Sequence, residues 1–382
     1  MRLALPTLVL FCYIIVSLIR RLPCRLWLKL AAGLALFAIG LKYLLYEKIG
    51  GSFIAPDFPP PVLVTMEFFY SAMVILAFLL LIKDALALVL LILRRLGGSR
   101  HLPFSPALRA GGIVGAALVL SLYGTWQSLR VPNVHTQEIS FPNLPPALDG
   151  FSIVQLSDLH IGPLLKEDRL KEVVRKTNAL DADLVVLTGD MIDGSPESLR
   201  NDIAPLRALQ AKYGVYGVAG NHEYYFGIQR WLQAFEDLGI DMLENEYRSL
   251  SVQGETLVLS GLADQAARRF GGAGPEHGFL HTRPEGLHVL LQHRPTVPAG
   301  DIKVDLQLSG HTHGGHLFFL KRLIASYNHG LVGGLYDFAG AKLYVSPGAG
   351  LWAGFSCRLG VPSEITHIIL RQEPSDLSVL SQ

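Results

Sequence analysis

The stretch Ile153-Val154-Gln155-Leu156-Ser157-Asp158-Leu159-His160 is a mostly apolar run that ends on a carboxylate and an imidazole two residues apart. The apolar part reads as a buried strand. If strand geometry persists to its end, Asp158 and His160 project to the same side, where together they can hold one metal ion. A lone Asp-x-His is more often structural than ligating, so its meaning depends on what surrounds it.

What surrounds it is a series of similar endings. Phe151–Leu156, Leu184–Leu187, Val215–Ala219, Leu287–Leu291 and Val304–Leu308 read as buried strands. Leu165–Ala179, Pro196–Ala211 and Ile228–Leu238 read as helices, and Leu250–Ser260, Ala341–Ser346 and Ile365–Leu370 as further strands. The mixture predicts a layered α/β or α+β domain. Each polar cluster falls just past the carboxyl end of a predicted strand, which is where open α/β sheets place their ligand sites.

Gly189-Asp190 closes the second run. Its glycine permits a tight turn and a close approach to a metal or phosphate, and its carboxylate can bridge two cations. Gly220-Asn221-His222-Glu223 follows the third. Asn221 supplies a neutral amide oxygen, and His222 faces elsewhere and can approach a substrate. Glu223 is better placed to orient neighbours than to bind; in isolation the tetrapeptide reads equally as a helix cap. His293 ends the fourth run and alone reads as a satisfied structural histidine. Gly310-His311-Thr312-His313-Gly314-Gly315 is the strongest single signal, two imidazoles at alternate positions framed by glycines. His316 reads as a core or supporting residue. These donors are hard oxygens and imidazoles without sulfur, a set that suits Mn, Fe or Zn in a hydrolytic site better than a thiolate-rich structural zinc site.

Taken in order, D-x-H, G-D, G-N-H-[DE], H and G-H-x-H, the clusters resemble the calcineurin-like metallophosphoesterase superfamily over about Asn133 to Arg371. Leu343-Tyr344-Val345-Ser346-Pro347-Gly348, and Arg358-Leu359-Gly360 leading to Glu364-Ile365-Thr366, look like the closing region of its bacterial membrane-anchored branch. The resemblance implies an α/β fold in the form of a four-layer α/β/β/α sandwich. It also implies roles: Asp158, His160 and His313 on a first metal, Asn221, His293 and His311 on a second, Asp190 bridging both, and His222 at the oxygen of the departing group. The expected reaction is phosphoester hydrolysis by a hydroxide bridging two divalent ions. Some members of the branch cleave the pyrophosphate of UDP-diacylglucosamine.

The 382 residues divide by composition. Apolar residues make up 50% and charged residues 17%, and the apolar excess lies before about residue 130. The expected organisation is an all-helical transmembrane region over 1–130, a linker and first strand over 131–150, the phosphoesterase domain over 151–371 and a tail over 372–382. Leu3–Ile19, Leu26–Tyr46, Val62–Ile82 and Ala110–Leu129 each approach the roughly 20 residues of a bilayer span. Ala85–Leu93 either continues the third span or lies along the interface. Arg20, Arg21, Arg25 and Lys29 follow the first span, and Arg94, Arg95, Arg100 and Arg109 follow the third. The positive-inside rule puts those loops in the cytoplasm and the C-terminal domain outside it, in a multi-pass inner-membrane protein. Glu67 reads as an interface residue reaching water, with no partner charge in the other spans.

The same features exclude other classes. A net charge of +1 without a basic run gives no expectation of nucleic-acid binding. Cys12, Cys24 and Cys357 make no disulfide framework, and Cys357 reads as a small buried apolar residue. The nearly charge-free spans disfavour a transporter. A metal-binding sensor or scaffold with an inactive hydrolase domain is disfavoured because no ligand position is replaced. The expected partners are the bilayer and a phosphoester; lipid headgroups, lipid-linked sugars, nucleotides and cell-wall phosphodiesters stay open. The orientation weighs against a cytosolic nucleotide-lipid.

Overall fold

The computed structural model of the chain describes residues 4–97, 102, 104–297, 303–338 and 340–373. The chain forms two compact units: Met1–Ser128 with Ala353–Leu359, and Leu129–Trp352 with Gly360–Gln382. The helical unit therefore incorporates seven residues from late in the sequence, which a single boundary near residue 130 does not anticipate.

The helical unit contains α1 (Ala4–Ser17), α2 (Leu26–Gly40), α3 (Lys42–Lys48), α4 (Pro60–Arg95) and α5 (Pro106–Leu129). Among the described residues, α4 and α5 are long and apolar enough to cross a membrane. The α2–α3 pair, bent by 46°, adds a third if it counts as one span. This revises the expected four. The first apolar stretch forms a described helix of 14 residues, below the roughly 20 a bilayer requires. The second breaks after Gly40, a weak helix former, and restarts at Lys42. Val62–Ile82 and Ala85–Leu93 join in one 36-residue helix. Lys83 and Asp84 do not interrupt it because both are bonded. The Lys83 ammonium donates to the Ser17 carbonyl at 2.9 Å, and Asp84 accepts from the Tyr13 and Ser17 hydroxyls.

Glu67 does not reach water. It is fully buried, and Oε1 accepts from Lys42 Nζ and from the Tyr46 hydroxyl, both at 2.8 Å. Oε2 accepts from the Ser356 amide at 2.9 Å, and Lys42 Nζ also donates to the Gly354 carbonyl at 2.6 Å. The rings of Tyr43 and Tyr70 lie 4.5 and 4.2 Å from the ammonium. Burying two charges is tolerable only with such complete satisfaction. The partner missing from the sequence reading was Lys42, which lies inside the expected span Leu26–Tyr46.

The second unit contains β1 (Asn133–Phe141), β2 (Ser152–Leu156), α6 (Glu167–Asn178), β3 (Leu184–Thr188), α7 (Pro196–Ile203), β4 (Val215–Val218), α8 (Asn221–Tyr225), α9 (Ile228–Asp237), β5 (Asp241–Met242), β6 (Glu246–Val252), β7 (Glu255–Gly261), β8 (Leu287–Leu291), β9 (Leu306–Ser309), α10 (Lys321–Ser326), β10 (Gly334–Phe338), β11 (Ala341–Val345) and β12 (Glu364–Gln372). Two departures from expectation are local. Leu250–Ser260 is a hairpin, not one strand: Gln253 and Gly254, both at positive φ (50° and 93°), turn β6 into β7. The helix expected over Pro196–Ala211 ends at Ile203, because Pro205 cannot continue the hydrogen-bond ladder, and Ala204–Ala208 tightens into a 3₁₀ turn. Of the expected tail, Gln372 ends β12 and residues 374–382 lie outside the described residues.

The strands form two six-stranded sheets, β1-β12-β2-β3-β4-β5 and β10-β11-β9-β8-β7-β6. Alternate residues of each strand serve different cores. Ile153, Leu184, Val186 and Val218 of the first sheet meet Leu257, Leu259, Val289 and Leu308 of the second. On the other face of the first sheet, Val154, Leu156, Val185 and Leu187 pack with Leu170, Leu199, Trp231 and Phe235 of α6, α7 and α9. The far side of the second sheet is covered more thinly, by Phe279 of a 3₁₀ turn against Leu290. This is the expected α/β/β/α layering with a reduced outer layer. Strands β2, β3 and β4 run parallel, as do β7, β8 and β9.

Candidate metal centre

The chain beyond β2, β3, β4, β8 and β9 carries every polar cluster singled out in the sequence. It does not stay extended there. Asp158, His160, Asp190, His311 and His313 have φ of 51°, 47°, 52°, 71° and 50°. This left-handed region is uncommon for residues with a side chain and costs about 1–3 kcal/mol each. Asp158 and His160 thus converge by alternating left-handed turns, and the pleat expected to align them is absent. Backbone bonds hold the turns: Asp158 N to Gly189 O at 3.0 Å, His160 N to Asp190 O at 3.1 Å, and Gly310 N to His293 O at 2.9 Å. Two glycines make the approach possible. A Cβ at Gly220 would lie 2.2 Å from Asp190 Oδ1, and one at Gly310 would lie 1.9 Å from Ser157 Oγ.

Two donor groups match the metal positions that the resemblance implies, and His160, Asp193 and His222 form a third. In the first, His313 Nε2 lies 3.3 Å from His160 Nε2 and 3.6 Å from Asp158 Oδ1. In the second, His293 Nε2 lies 3.1 Å from Asp190 Oδ2 and 3.3 Å from His311 Nδ1. Each group keeps its donor atoms within 4.8 Å of one another. Asp190 Oδ2 also lies 4.0 Å from His160 Nε2, between the groups. Asn221 is buried beside them, with Oδ1 accepting from Arg294 Nη2 at 2.9 Å. Ring nitrogens facing each other across 3.3 Å beside a carboxylate are a donor arrangement that fits a cation, and the oxygen and imidazole chemistry suits Mn, Fe or Zn. His316 lies at the margin, its ring centroid 4.8 Å from that of His313.

His222 sits differently. Its Nδ1 is hydrogen-bonded to Asp193 Oδ1, and its Nε2 is 3.8 Å from Asp190 Oδ2. Burial pulls its pKa down, but the carboxylates of Asp190 and Asp193 outweigh that and hold it up at about 9. His293 is likewise held at about 10, against burial, chiefly by Asp190. His311 goes the other way: burial, then the charge of His293, keeps it well below the ordinary range. The rings of Tyr225 and Trp352 flank His222, at 5.5 and 6.3 Å between centroids.

Glu223 accepts from the amides of Gly220 (2.7 Å), Asp190 (3.0 Å) and Met191 (2.7 Å), so it ties two strand-end loops together. Two residues escaped the sequence reading. Asp193 Oδ1 accepts from His160 Nδ1 at 3.2 Å as well as from His222. Its signal was available as a second carboxylate three residues after Asp190 on the same loop. Arg294 had no signal beyond adjacency to His293.

The model of the calcineurin-like phosphoesterase family matches residues 151–315, which hold all of these clusters. A bovine "Transmembrane protein with metallophosphoesterase domain" is 34% identical over 70% of this chain and 64% of its own length, and its zebrafish counterpart is matched over 61% of its length. This chain therefore spans under two thirds of those relatives. An uncharacterized metallophosphoesterase of Campylobacter jejuni is 34% identical over 80% of this chain and 81% of its own length. With four fifths of that relative covered, and the family pattern spread over five strand ends, the chain belongs to the calcineurin-like metallophosphoesterases.

Proposed function

We propose that the protein is a membrane-anchored phosphoesterase that uses two divalent ions, with its catalytic domain on the extracytoplasmic face. The observation that carries the reading is the position of Asp190, whose Oδ2 lies 3.1 Å from His293 Nε2 of one donor group and 4.0 Å from His160 Nε2 of the other. Asp158, His160 and His313 would hold one ion, Asn221, His293 and His311 the second, and Asp190 both. When bound, the ions supply charge for the phosphoryl oxygens and acidity for the attacking water.

The chain's own residues do the rest. Asp193 fixes His222 through Nδ1, leaving Nε2 to face the reacting bond. Against burial, the carboxylates of Asp190 and Asp193 raise its pKa and so favour the protonated ring. As the water oxygen bonds to phosphorus and the phosphorus–oxygen bond to the departing group breaks, the His222 proton passes to the departing oxygen. One proton of the attacking water leaves to solvent, from which His222 regains its own, and the products are an alcohol with phosphate from a monoester or a phosphomonoester from a diester. Glu223 holds the backbone on which Asp190 and His222 stand.

The orientation needs only α4 and α5. In sequence, Arg94 and Arg95 end α4, Arg109 stands in the first turn of α5 and Arg100 falls between the helices, so by the positive-inside rule the chain after α5 emerges on the opposite, extracytoplasmic side. Phosphodiesters and phosphomonoesters are both within reach of this chemistry, including lipid-linked ones. Purified protein with added Mn should hydrolyse bis-p-nitrophenyl phosphate or p-nitrophenyl phosphate, and His222→Ala should keep the metals and slow most with poor leaving groups. Metal-loaded protein inert toward phosphomonoester, phosphodiester and lipid substrates alike argues against the reading. A C-terminal reporter active only in the cytoplasm argues against the orientation.

A further inference from the structure

One cation at the site neither holds a metal nor moves a proton. Arg294 follows His293, and its Nε donates to both carboxylate oxygens of Asp264, at 3.0 and 3.2 Å. Asp264 is itself fixed: its side chain is fully buried, and Oδ1 accepts from the Ala266 amide at 2.7 Å. Arg294 Nη2 donates to Asn221 Oδ1 at 2.9 Å. A guanidinium has five N–H donors in a rigid fork. Among the described residues, Nη1 donates to no protein group. The Arg294 side chain is 28% exposed although its anchor is sealed.

A positive charge bonded to Asn221 is a poor neighbour for a metal. It repels the ion and draws electron density from the oxygen that would coordinate it. The placement becomes favourable when an anion arrives to face guanidinium and metals together, and forked Arg–phosphate bonds are among the strongest in proteins. Resting on the phosphoesterase reading, we propose that Arg294 is a phosphoryl clamp: anchored by Asp264, it binds the non-bridging oxygens of the phosphate group at the metal centre.

The test uses full-length, Mn-loaded protein and inorganic phosphate as the probe. Metal content per chain and calorimetric phosphate affinity are measured for wild type, Arg294→Gln and Arg294→Lys. The expected result is retained metal in all three, with phosphate binding weakened at least tenfold in Arg294→Gln and less in Arg294→Lys, which keeps charge without the fork. KM should rise more than kcat falls. If Arg294→Gln misfolds because Asp264 is left unpaired, the double variant Arg294→Gln/Asp264→Asn removes both charges and is expected to show the same loss. Unchanged phosphate affinity in the loaded variants, or loss of metal as their only defect, overturns the clamp and leaves Arg294 as a support for Asn221. Wild-type protein that loads metal yet binds no phosphate overturns the clamp and the phosphoesterase reading together.

Discussion

Asp193 and His222 are joined by a hydrogen bond from the imidazole Nδ1 to Oδ1, and the same oxygen accepts from His160 Nδ1 at 3.2 Å. One carboxylate thus orients both an imidazole of the first donor group and the ring proposed to face the departing oxygen. Asp193→Asn should therefore lower kcat by roughly 10²-fold while leaving the carboxylates of both donor groups in place. Against burial, the carboxylates of Asp190 and Asp193 raise the pKa of His222, and it works as an acid only while protonated, so activity should fall on the alkaline side as the ring loses its proton. Removing one of the two carboxylates that hold this pKa up should move the alkaline limb of the kcat profile to lower pH. A limb that stays put would separate Asp193 from His222.

A second prediction concerns stability away from the metals. His288, in β8, is buried, donating from Nδ1 to the Lys303 carbonyl at 2.9 Å, with the Ser260 hydroxyl 2.8 Å from Nε2. Burial, aided by the charge of Arg283, pushes its pKa down to about 4. The neutral ring is the folded form, so its contribution is complete above the ordinary histidine pKa of about 6.5 and is lost as pH falls from there toward 4. The total is roughly 3 kcal/mol. Thermal unfolding of His288→Gln should depend less on pH across that window than wild type, and an identical dependence would assign the acid sensitivity to other groups.

The helical unit supplies a third. Glu67 and Lys42 are buried at 1% exposure or less, so removing either partner leaves a charge without its counterpart. Lys42→Met or Glu67→Leu alone should cost about 3–5 kcal/mol, and the double variant should recover much of it. Unfolding of detergent-solubilised protein reads this directly. Because Glu67 also accepts from the Ser356 amide, the single Glu67 variant should expose Ala353–Leu359 to protease first. Equal protection in both proteins would remove the pair from that role.

These features differ in how far the sequence exposes them. β2, β3 and β8 announce themselves as mainly apolar runs because nearly every residue in them is buried, and the glycine beside Asp190 marks where β3 stops. The β6–β7 hairpin hides because Gln253, an ordinary polar residue, takes the left-handed turn position beside Gly254. The Lys42–Glu67 pair hides because its members stand 25 residues apart in two segments read as separate apolar spans. Asp193 is visible as a residue but not as a partner, since its value lies in reaching two histidines from different strand ends. The span count differs among the described residues for a simpler reason. Hydropathy marks an apolar stretch and says nothing of where its helix breaks, as at Gly40.

The central claim is that two donor groups sharing Asp190 hold a pair of ions. Anomalous diffraction from crystals grown with Mn tests it most directly. Two peaks roughly 3.5–4 Å apart are expected, one against Asp158, His160 and His313 and the other against Asn221, His293 and His311, with Asp190 between them. Both peaks should vanish or fade sharply in Asp190→Ala. Crystals that bind Mn elsewhere, or show no peak among these residues while the same preparation still hydrolyses phosphoesters, would contradict it.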